Sequence, residues 1–141
     1  MSSNHLADQQ DTFALIPRDG EEVRVPYNIA SLFLLIRERL YYEEYIILDQ
    51  IDYDTLTNVI KFAKKHAKKP QPLIAPRIEV QQCKALFLKW VKNFYKEIDD
   101  YDLSKLKKAA VYLQFKILSL ICVYEWIARG LTSDQLQQEL Q

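Results

Sequence analysis

Side chains capable of chemistry are few in this chain, and their spacing does not gather a reactive set. The sequence holds two histidines, His5 and His66, and two cysteines, Cys83 and Cys122. Metal coordination needs several converging ligands, and a nucleophilic cysteine needs a nearby base and an electropositive setting. The sequence places neither histidine beside a cysteine. It therefore predicts no catalytic residue, no metal site and no cofactor.

Each of these residues has a structural interpretation, which we prefer. His66 lies within the cationic run Lys64–Lys69 and is expected at a solvated helix end, where cations favour the helix dipole. The lysine run is expected to be a solvated face, or else the rim of a site for an acidic protein partner. Cys122 is expected to pack as a small hydrophobe. A cluster of aspartates favours helix capping over a cation site: Asp99, Asp100 and Asp102.

Composition narrows the class of protein further. The chain has 141 residues, 49% of them hydrophobic, which suits one domain with a real core. Lys plus Arg and Asp plus Glu both total 19, which argues against nucleic-acid and anionic-membrane partners. Residues 1–11 are polar and expected to form a flexible tail without an apolar signal core. We expect reduced thiols and a location in the cytoplasm and nucleus.

The amino-terminal half predicts a small sheet with helices. Two apolar runs, Phe13–Ile16 and Val23–Val25, flank Asp19-Gly20, which is typical of a hairpin turn because glycine accepts positive φ. Asn28 is expected to cap one helix, whose apolar face comprises Ile29, Leu32, Phe33, Ile36 and Leu40. A buried strand is expected next, over Tyr45–Leu48.

Helices dominate the rest of the chain. Asp52 or Asp54 is expected to cap a helix with the apolar face Leu56, Val59, Ile60 and Ala63. A proline-containing stretch over 70–80 follows, and helical spacing resumes around Trp90 and Phe94. Strands followed by a run of helices predict an α+β domain with helices packed on a small sheet.

The segment Ala109–Lys116 joins two further helical patterns. The first buries Leu103, Leu106, Ala109, Ala110 and Leu113. The second has an apolar stripe that comprises Ile117, Leu120, Ile121, Tyr124 and Ile127. Three further apolar residues fall outside that stripe: Leu118, Val123 and Trp126. This helix is therefore apolar nearly all round. Such a helix is either central in a core or covered by a partner, and the sequence leaves both alternatives open. Gly130 should stop it, and Thr132 with Gln135 forms a capping box for a last helix.

These motifs together resemble the S-phase kinase-associated (Skp) adaptors, which link F-box proteins to cullins in ubiquitin ligases. The resemblance runs from about Phe13 to Gln141. Its most specific element is Ala109-Ala-Val-Tyr-Leu-Gln-Phe-Lys116, which is similar to the family signature Ala-Ala-Asn-Tyr-Leu-Asp-Ile-Lys. Further matches lie in the spacing of Ile29-Ala30…Ile36-Arg37-Glu38-Arg39-Leu40, in Leu56-Thr-Asn-Val59-Ile60-Lys-Phe62, in Trp90 and Phe94, and in Arg129–Leu136.

The resemblance implies a BTB/POZ-like domain over 12–116 and a C-terminal helical extension over 117–141, a truncated F-box-binding region. It implies an adaptor that is not an enzyme. Val111 and Tyr112 would contact the cullin, with Val111 in place of the family's asparagine. The F-box side would comprise Leu118, Ile121, Val123, Gly130, Thr132 and Leu136.

Three other hypotheses remain open. The chain could be an elongin-C-like or BTB-type assembly protein that pairs with another helical partner or forms a homodimer. It could be a paralogue that kept the fold and lost ligase assembly, or an enzyme whose site the sequence does not reveal.

Overall fold

The computed structural model of this protein describes residues 12–74 and 84–131. Three strands form its sheet, in the order β2-β1-β3: β1 (Thr12–Pro17), β2 (Val23–Pro26) and β3 (Tyr45–Leu48). β1 pairs antiparallel with β2, with Phe13 opposite Val25, and parallel with β3, with Leu15 opposite Ile46. The predicted hairpin and third strand are therefore confirmed.

The sheet rests on the helices through one face. Phe13 and Leu15 of β1 are fully buried on that face, together with Val25 of β2. β3 was expected to be a buried strand, but it alternates: Ile46 and Leu48 face the core, whereas Tyr45 and Ile47 are exposed. This period of two is typical of a strand with one side in solvent.

Gly20 lies in the predicted hairpin turn, but the reason given for it was wrong. Within the described residues the glycine with positive φ is Gly130, at 78°, and not Gly20. A Cβ atom at Gly20 would lie 2.8 Å from Cβ of Tyr53. Glycine is needed there because the turn lies directly against the next helix, and the neighbouring Asp19 accepts a hydrogen bond from the Tyr53 backbone amide at 2.7 Å.

Six α-helices and one 3₁₀ helix have bounds within the described residues. They are α1 (Tyr27–Ala30), α2 (Leu34–Arg37), the 3₁₀ helix (Glu38–Tyr41), α3 (Tyr53–Lys68), α4 (Lys89–Lys96), α5 (Asp100–Leu113) and α6 (Lys116–Ala128).

The single helix expected after Asn28 is wrong, because the chain forms α1, α2 and the 3₁₀ helix there instead. Asn28 is not a cap; α1 begins at Tyr27 without a side-chain cap. The buried residues Ile29, Ala30, Phe33 and Ile36 would also share one face of a regular α-helix, within about 120° of one another. Their pattern therefore does not reveal that the chain breaks into short turns here.

Aspartates start the two long helices that were predicted with such caps. Asp52 accepts a hydrogen bond from the Thr55 amide at 2.8 Å and begins α3, so Asp54 is not the cap. Asp99 accepts one from the Asp102 amide at 2.7 Å and begins α5. A carboxylate at this position satisfies amides that lack an intrahelical partner.

The fold is α+β, with a C-terminal helical region. One buried cluster contains residues from the sheet and from the helices α3, α4, α5 and α6. Leu118 of α6 is one of its members. The domain boundary predicted after residue 116 falls at the start of α6, and the division stays a prediction. The expected tail at 1–11 and the expected last helix after Thr132 lie outside the described residues.

Candidate protein-docking surfaces

The predicted cullin-contacting pair lies at the end of α5. Val111 is 57% exposed, and Tyr112 is partly buried against the core. The helix stops at Leu113 because Gln114 adopts a left-handed conformation with φ of 58°, and the Phe115 amide then donates to the Ala110 carbonyl at 2.9 Å. This turn fixes where both side chains point.

Tyr112 borders a notch of about 180 Å³ between α5 and the loops around the sheet. Arg18 of the β1–β2 loop and Gln50 of the β3–α3 loop line one side, and Lys105 and Lys108 of α5 line the other. Aromatic residues beside polar groups in a concave site are typical of binding surfaces.

Asp52 organises this notch electrostatically. Its carboxylate accepts a hydrogen bond from Lys105 Nζ at 2.6 Å and lies 3.8 Å from the Arg18 guanidinium. Burial opposes the charge, but the hydrogen bonds from Lys105 and Thr55 outweigh it and lower the pKa of Asp52 to about 2. Lys105 also lies 4.8 Å from the Tyr101 ring centroid. Asp52 therefore stays ionised and holds Lys105 in the wall of the notch.

A second ion pair lies just before β3. Arg39 donates from Nε and Nη2 to both carboxylate oxygens of Glu43, a bidentate geometry that favours a fixed orientation. The Glu43 hydrogen bond raises the pKa of Arg39.

The predicted F-box-contacting side does not have the expected orientation. The stripe expected to be buried included Ile117, Leu120 and Ile127, and these three are partly or largely exposed. The buried face of α6 instead carries Leu118, Ile121, Cys122, Tyr124, Glu125 and Trp126. A helix that is apolar all round gives no pattern from which its rotation could be read, so packing decides it.

Leu118 and Ile121, which the resemblance assigns to the F-box side, do not lie on an open surface, and the burial of Ile121 agrees with its place in the expected stripe. Both are at most 1% exposed and belong to the core cluster. Val123 is partly exposed, and Gly130 is exposed just beyond the helix. Thr132 and Leu136 lie outside the described residues. The assignment of all these residues to an F-box partner stays a prediction.

An apolar stripe on α6 faces outward and is hereafter called the α6 stripe. It comprises Ile117, Leu120, Val123 and Ile127, which is 48% exposed. Ile117 also lines a groove of about 330 Å³ with Leu32, Leu34 and Leu73, next to the α5–α6 junction. The surface open to a partner on this side is therefore the α6 stripe, which includes Val123 of the predicted set but neither Leu118 nor Ile121.

A buried ionic network that sequence reasoning missed fixes the end of α6. Glu125 is 3% exposed and accepts from Arg129 Nε at 2.7 Å, and Lys84 Nζ lies 3.5 Å from it. Arg129 also donates to Asp100 and to the carbonyls of Tyr95 and Ile98, at 2.9, 2.9 and 2.7 Å. The spacing of Glu125 and Arg129 by four residues was a usable signal.

The residues considered for chemistry have packing roles. Cys122 is buried, and burial raises the pKa of its thiol to about 12, so the expectation that it packs as a hydrophobe is confirmed. Its Sγ lies 3.2 Å from the Tyr95 hydroxyl. Among the described residues, no group of three or more His, Cys, Asp and Glu side chains could hold a metal ion. Cys83 and His5 lie outside that part of the chain.

His66 is not the solvated helix end that was expected. Its ring stacks on Phe62 and contacts Phe115 edge-on, with centroids 6.1 and 6.4 Å apart. Its Nδ1 accepts a hydrogen bond from the Gln71 amide at 3.0 Å, and burial lowers its pKa. The His66 ring therefore holds the segment after α3 against the helix through the Gln71 amide. The neighbouring Lys64, Lys65, Lys68 and Lys69 are exposed, as predicted.

Comparison with known proteins leaves the family assignment as a resemblance. No protein-family model matches the chain, and no curated protein matches it. No helix in the described ranges is both long and apolar enough to cross a membrane.

Proposed function

We propose that this chain is an adaptor that links an F-box substrate receptor to a cullin in an SCF-type ubiquitin ligase. Its role is docking, in which two separate surfaces hold two protein partners at once. The proposal joins the Skp-like motifs of the sequence to two open surfaces that lie on different helices.

The observation that carries the proposal is the position of Val111 and Tyr112. The signature segment that resembles the Skp family places them at the end of α5, where Val111 is 57% exposed and Tyr112 borders the notch. Protein interfaces concentrate their energy in a few such anchors, with tyrosine among the commonest. A helical partner seated over Val111 would reach the Tyr112 ring and the notch together.

The α6 stripe supports the second half of the proposal. It exposes aliphatic side chains in a row, on a helix whose opposite face is held in the core. A rigid apolar row of this kind suits the apolar face of a partner helix. We therefore assign the F-box contact to Val123 and its stripe neighbours rather than to Leu118 and Ile121.

Two matched substitutions test the two surfaces separately. Val111→Lys and Val123→Lys each place one cation on one surface, and titration calorimetry measures binding to a purified cullin N-terminal domain and to a purified F-box domain. We expect Val111→Lys to weaken only cullin binding and Val123→Lys only F-box binding, each by about tenfold or more because a buried unpaired charge is costly. Wild-type protein that binds neither domain would refute the adaptor function.

Tyr112→Ala sharpens the cullin test, with Tyr101→Ala as its control. Tyr101 is a second tyrosine of α5, 58% exposed, and lies about 16 Å away along the helix axis. We expect Tyr112→Ala to weaken cullin binding by at least about tenfold and Tyr101→Ala to leave it nearly unchanged. Equal effects would show that Tyr112 is not the anchor.

One observation favours the alternative, an elongin-C-like or BTB-type scaffold without a ligase role. Leu118 and Ile121, which the family resemblance assigns to the F-box, are in the core of this chain. Binding of the cullin domain without binding of any F-box domain would support this scaffold.

A further inference from the structure

The outer edge of β3 has backbone groups that no described strand pairs. β3 is the last strand in the order β2-β1-β3, and β1 is its partner. Its other edge carries the outward backbone groups of alternate residues within Tyr45–Leu48. At the end of the strand the Leu48 carbonyl accepts from the Ile51 amide at 3.2 Å. Such an edge is a template on which another strand can pair.

Natural edge strands usually carry features that prevent pairing, and β3 carries few of them. Protection comes from lysine, proline or a bulge in the strand, whereas β3 reads Tyr-Ile-Ile-Leu. These residue types are among those most favourable in strands. Its short length is the one common protective feature that it has.

Exposed apolar side chains accompany this edge. Tyr45 is 54% exposed and Ile47 is 59% exposed, and both point to the solvent face of the sheet. A groove of about 460 Å³ follows the strand and is lined by Arg39, Glu43, Glu44, Tyr45, Ile46 and Ile47. An added strand would place alternate side chains beside Tyr45 and Ile47.

Charges at both ends of β3 indicate the kind of segment that fits. Glu44 precedes the strand and Asp49 follows it; both are exposed, and within the described ranges neither has an ion-pair partner. A second copy of this chain fits poorly. Antiparallel pairing of two β3 strands over their full length would place Glu44 opposite Asp49, and like charges directly opposite destabilise a sheet.

We propose that the outer edge of β3 binds an extended segment of another protein as an added strand. The segment has apolar or β-branched residues at alternate positions and Lys or Arg at both ends, which pair with Glu44 and Asp49. Main-chain hydrogen bonds supply affinity and the flanking charges supply selectivity, as in other cases of strand addition. This inference does not rest on cullin or F-box binding, because it uses a different part of the surface.

A synthetic peptide probes the edge directly in the full-length chain. The probe is a blocked peptide, Thr-Val-Thr-Val with two lysines at each end, titrated into ¹⁵N-labelled protein while amide chemical shifts are recorded. We expect the largest shifts at residues 44–49. A matched peptide with glutamates in place of the lysines should bind about three- to tenfold more weakly at low salt, since exposed ion pairs are individually weak, and added salt should remove the difference.

Three controls make the result decisive. A peptide N-methylated at all four central residues, so that neither of its edges has a free amide, cannot donate to β3 and should not bind. Ile47→Lys should abolish binding of the lysine peptide, whereas Ile127→Lys, at a similarly exposed isoleucine on α6, should leave it intact. The double variant Glu44→Gln/Asp49→Asn should bind both charged peptides equally.

Three outcomes would overturn the proposal: no binding of the lysine peptide, shifts centred away from 44–49, or equal binding of the N-methylated peptide. Sedimentation of the unliganded protein supplies a fourth. A homodimer that Ile47→Lys dissociates would show that a second copy occupies this edge, which contradicts a foreign basic segment.

Discussion

Replacing Asp52 separates two contributions that this one carboxylate makes to stability. It caps α3 through the Thr55 amide and pairs with Lys105 across the notch. Asp52→Asn keeps an oxygen that can accept from Thr55 but removes the negative charge. Asp52→Ala removes both. The two variants should therefore differ by the value of the cap.

The magnitudes follow from the geometry. A pKa lowered to about 2 from an ordinary value near 3.8 corresponds to about 2 kcal/mol of stabilisation. Part of that shift comes from Thr55, and the Lys105 side chain is 34% exposed to screening solvent. We therefore expect Asp52→Asn to lower the free energy of unfolding by about 1 kcal/mol. Asp52→Ala should lower it by about 2 kcal/mol, because loss of an N-cap costs about 1 kcal/mol more.

The same carboxylate predicts a pH dependence of known sign. Its pKa is lower in the folded state than in the unfolded state, so the folded protein binds the proton less readily. The stabilisation is complete above about pH 4 and is lost as the pH falls from about 4 through 2. In Asp52→Asn this part of the acid sensitivity should be absent.

Urea unfolding followed by circular dichroism measures all three proteins at pH 7 and at steps down to pH 2. A double-mutant cycle with Lys105→Met isolates the ion pair, for which we expect a coupling of about 1 kcal/mol. Equal stability of the Asn and Ala variants would refute the capping argument. A coupling near zero, or an unchanged acid transition in Asp52→Asn, would refute the ion-pair argument.

Three further predictions concern other parts of the chain. Gly20→Ala should lower the free energy of unfolding by about 1 to 3 kcal/mol because its Cβ would press on Tyr53. Gly130→Ala should lower it by about 1 to 2 kcal/mol because of its φ of 78° alone. Thermal unfolding that shows Gly20→Ala to be neutral would contradict the close approach of Gly20 to Tyr53. In a Cys83→Ser background, the buried Cys122 thiol should react with a disulfide reagent only as fast as the protein unfolds, and rapid labelling of the folded protein in stopped-flow absorbance would show that the thiol is accessible. Leu118→Ala should cost about 2 to 5 kcal/mol as a core truncation and Val123→Ala less than about 1.5 kcal/mol as a stripe residue. Chemical denaturation that gives the reverse order would contradict this orientation of α6.

Sequence patterns were sufficient where the signal is local. Two apolar runs on either side of Asp19-Gly20 predicted β1 and β2. The aspartates before α3 and α5 predicted where those helices begin, because a cap depends on residues three apart. For the segment from Ile29 to Leu40 the prediction of one helix was wrong because the breaks between the short helices leave no mark in the pattern of buried residues. An apolar face alone does not distinguish one long helix from several short turns.

The candidate surfaces were predicted in part. Val111 is exposed as expected, but Tyr112 lies against the core as well as beside the notch. On α6 the expected and observed buried faces share Ile121 and Tyr124 but differ elsewhere, because apolar residues surround the helix and the buried side includes the charged Glu125. Glu125 is tolerated there because Arg129 and Lys84 neutralise it, an arrangement that depends on residues brought together by folding.

The contacts of Arg129 fix the end of α6 to the rest of the domain. One guanidinium joins α6 to the last turn of α4 through the Tyr95 carbonyl and to the segment after α4 through the Ile98 carbonyl. A pull applied beyond Gly130 would therefore reach α4 and α5 before it could peel α6 away. Whatever attaches near the carboxyl terminus would be held by the whole domain.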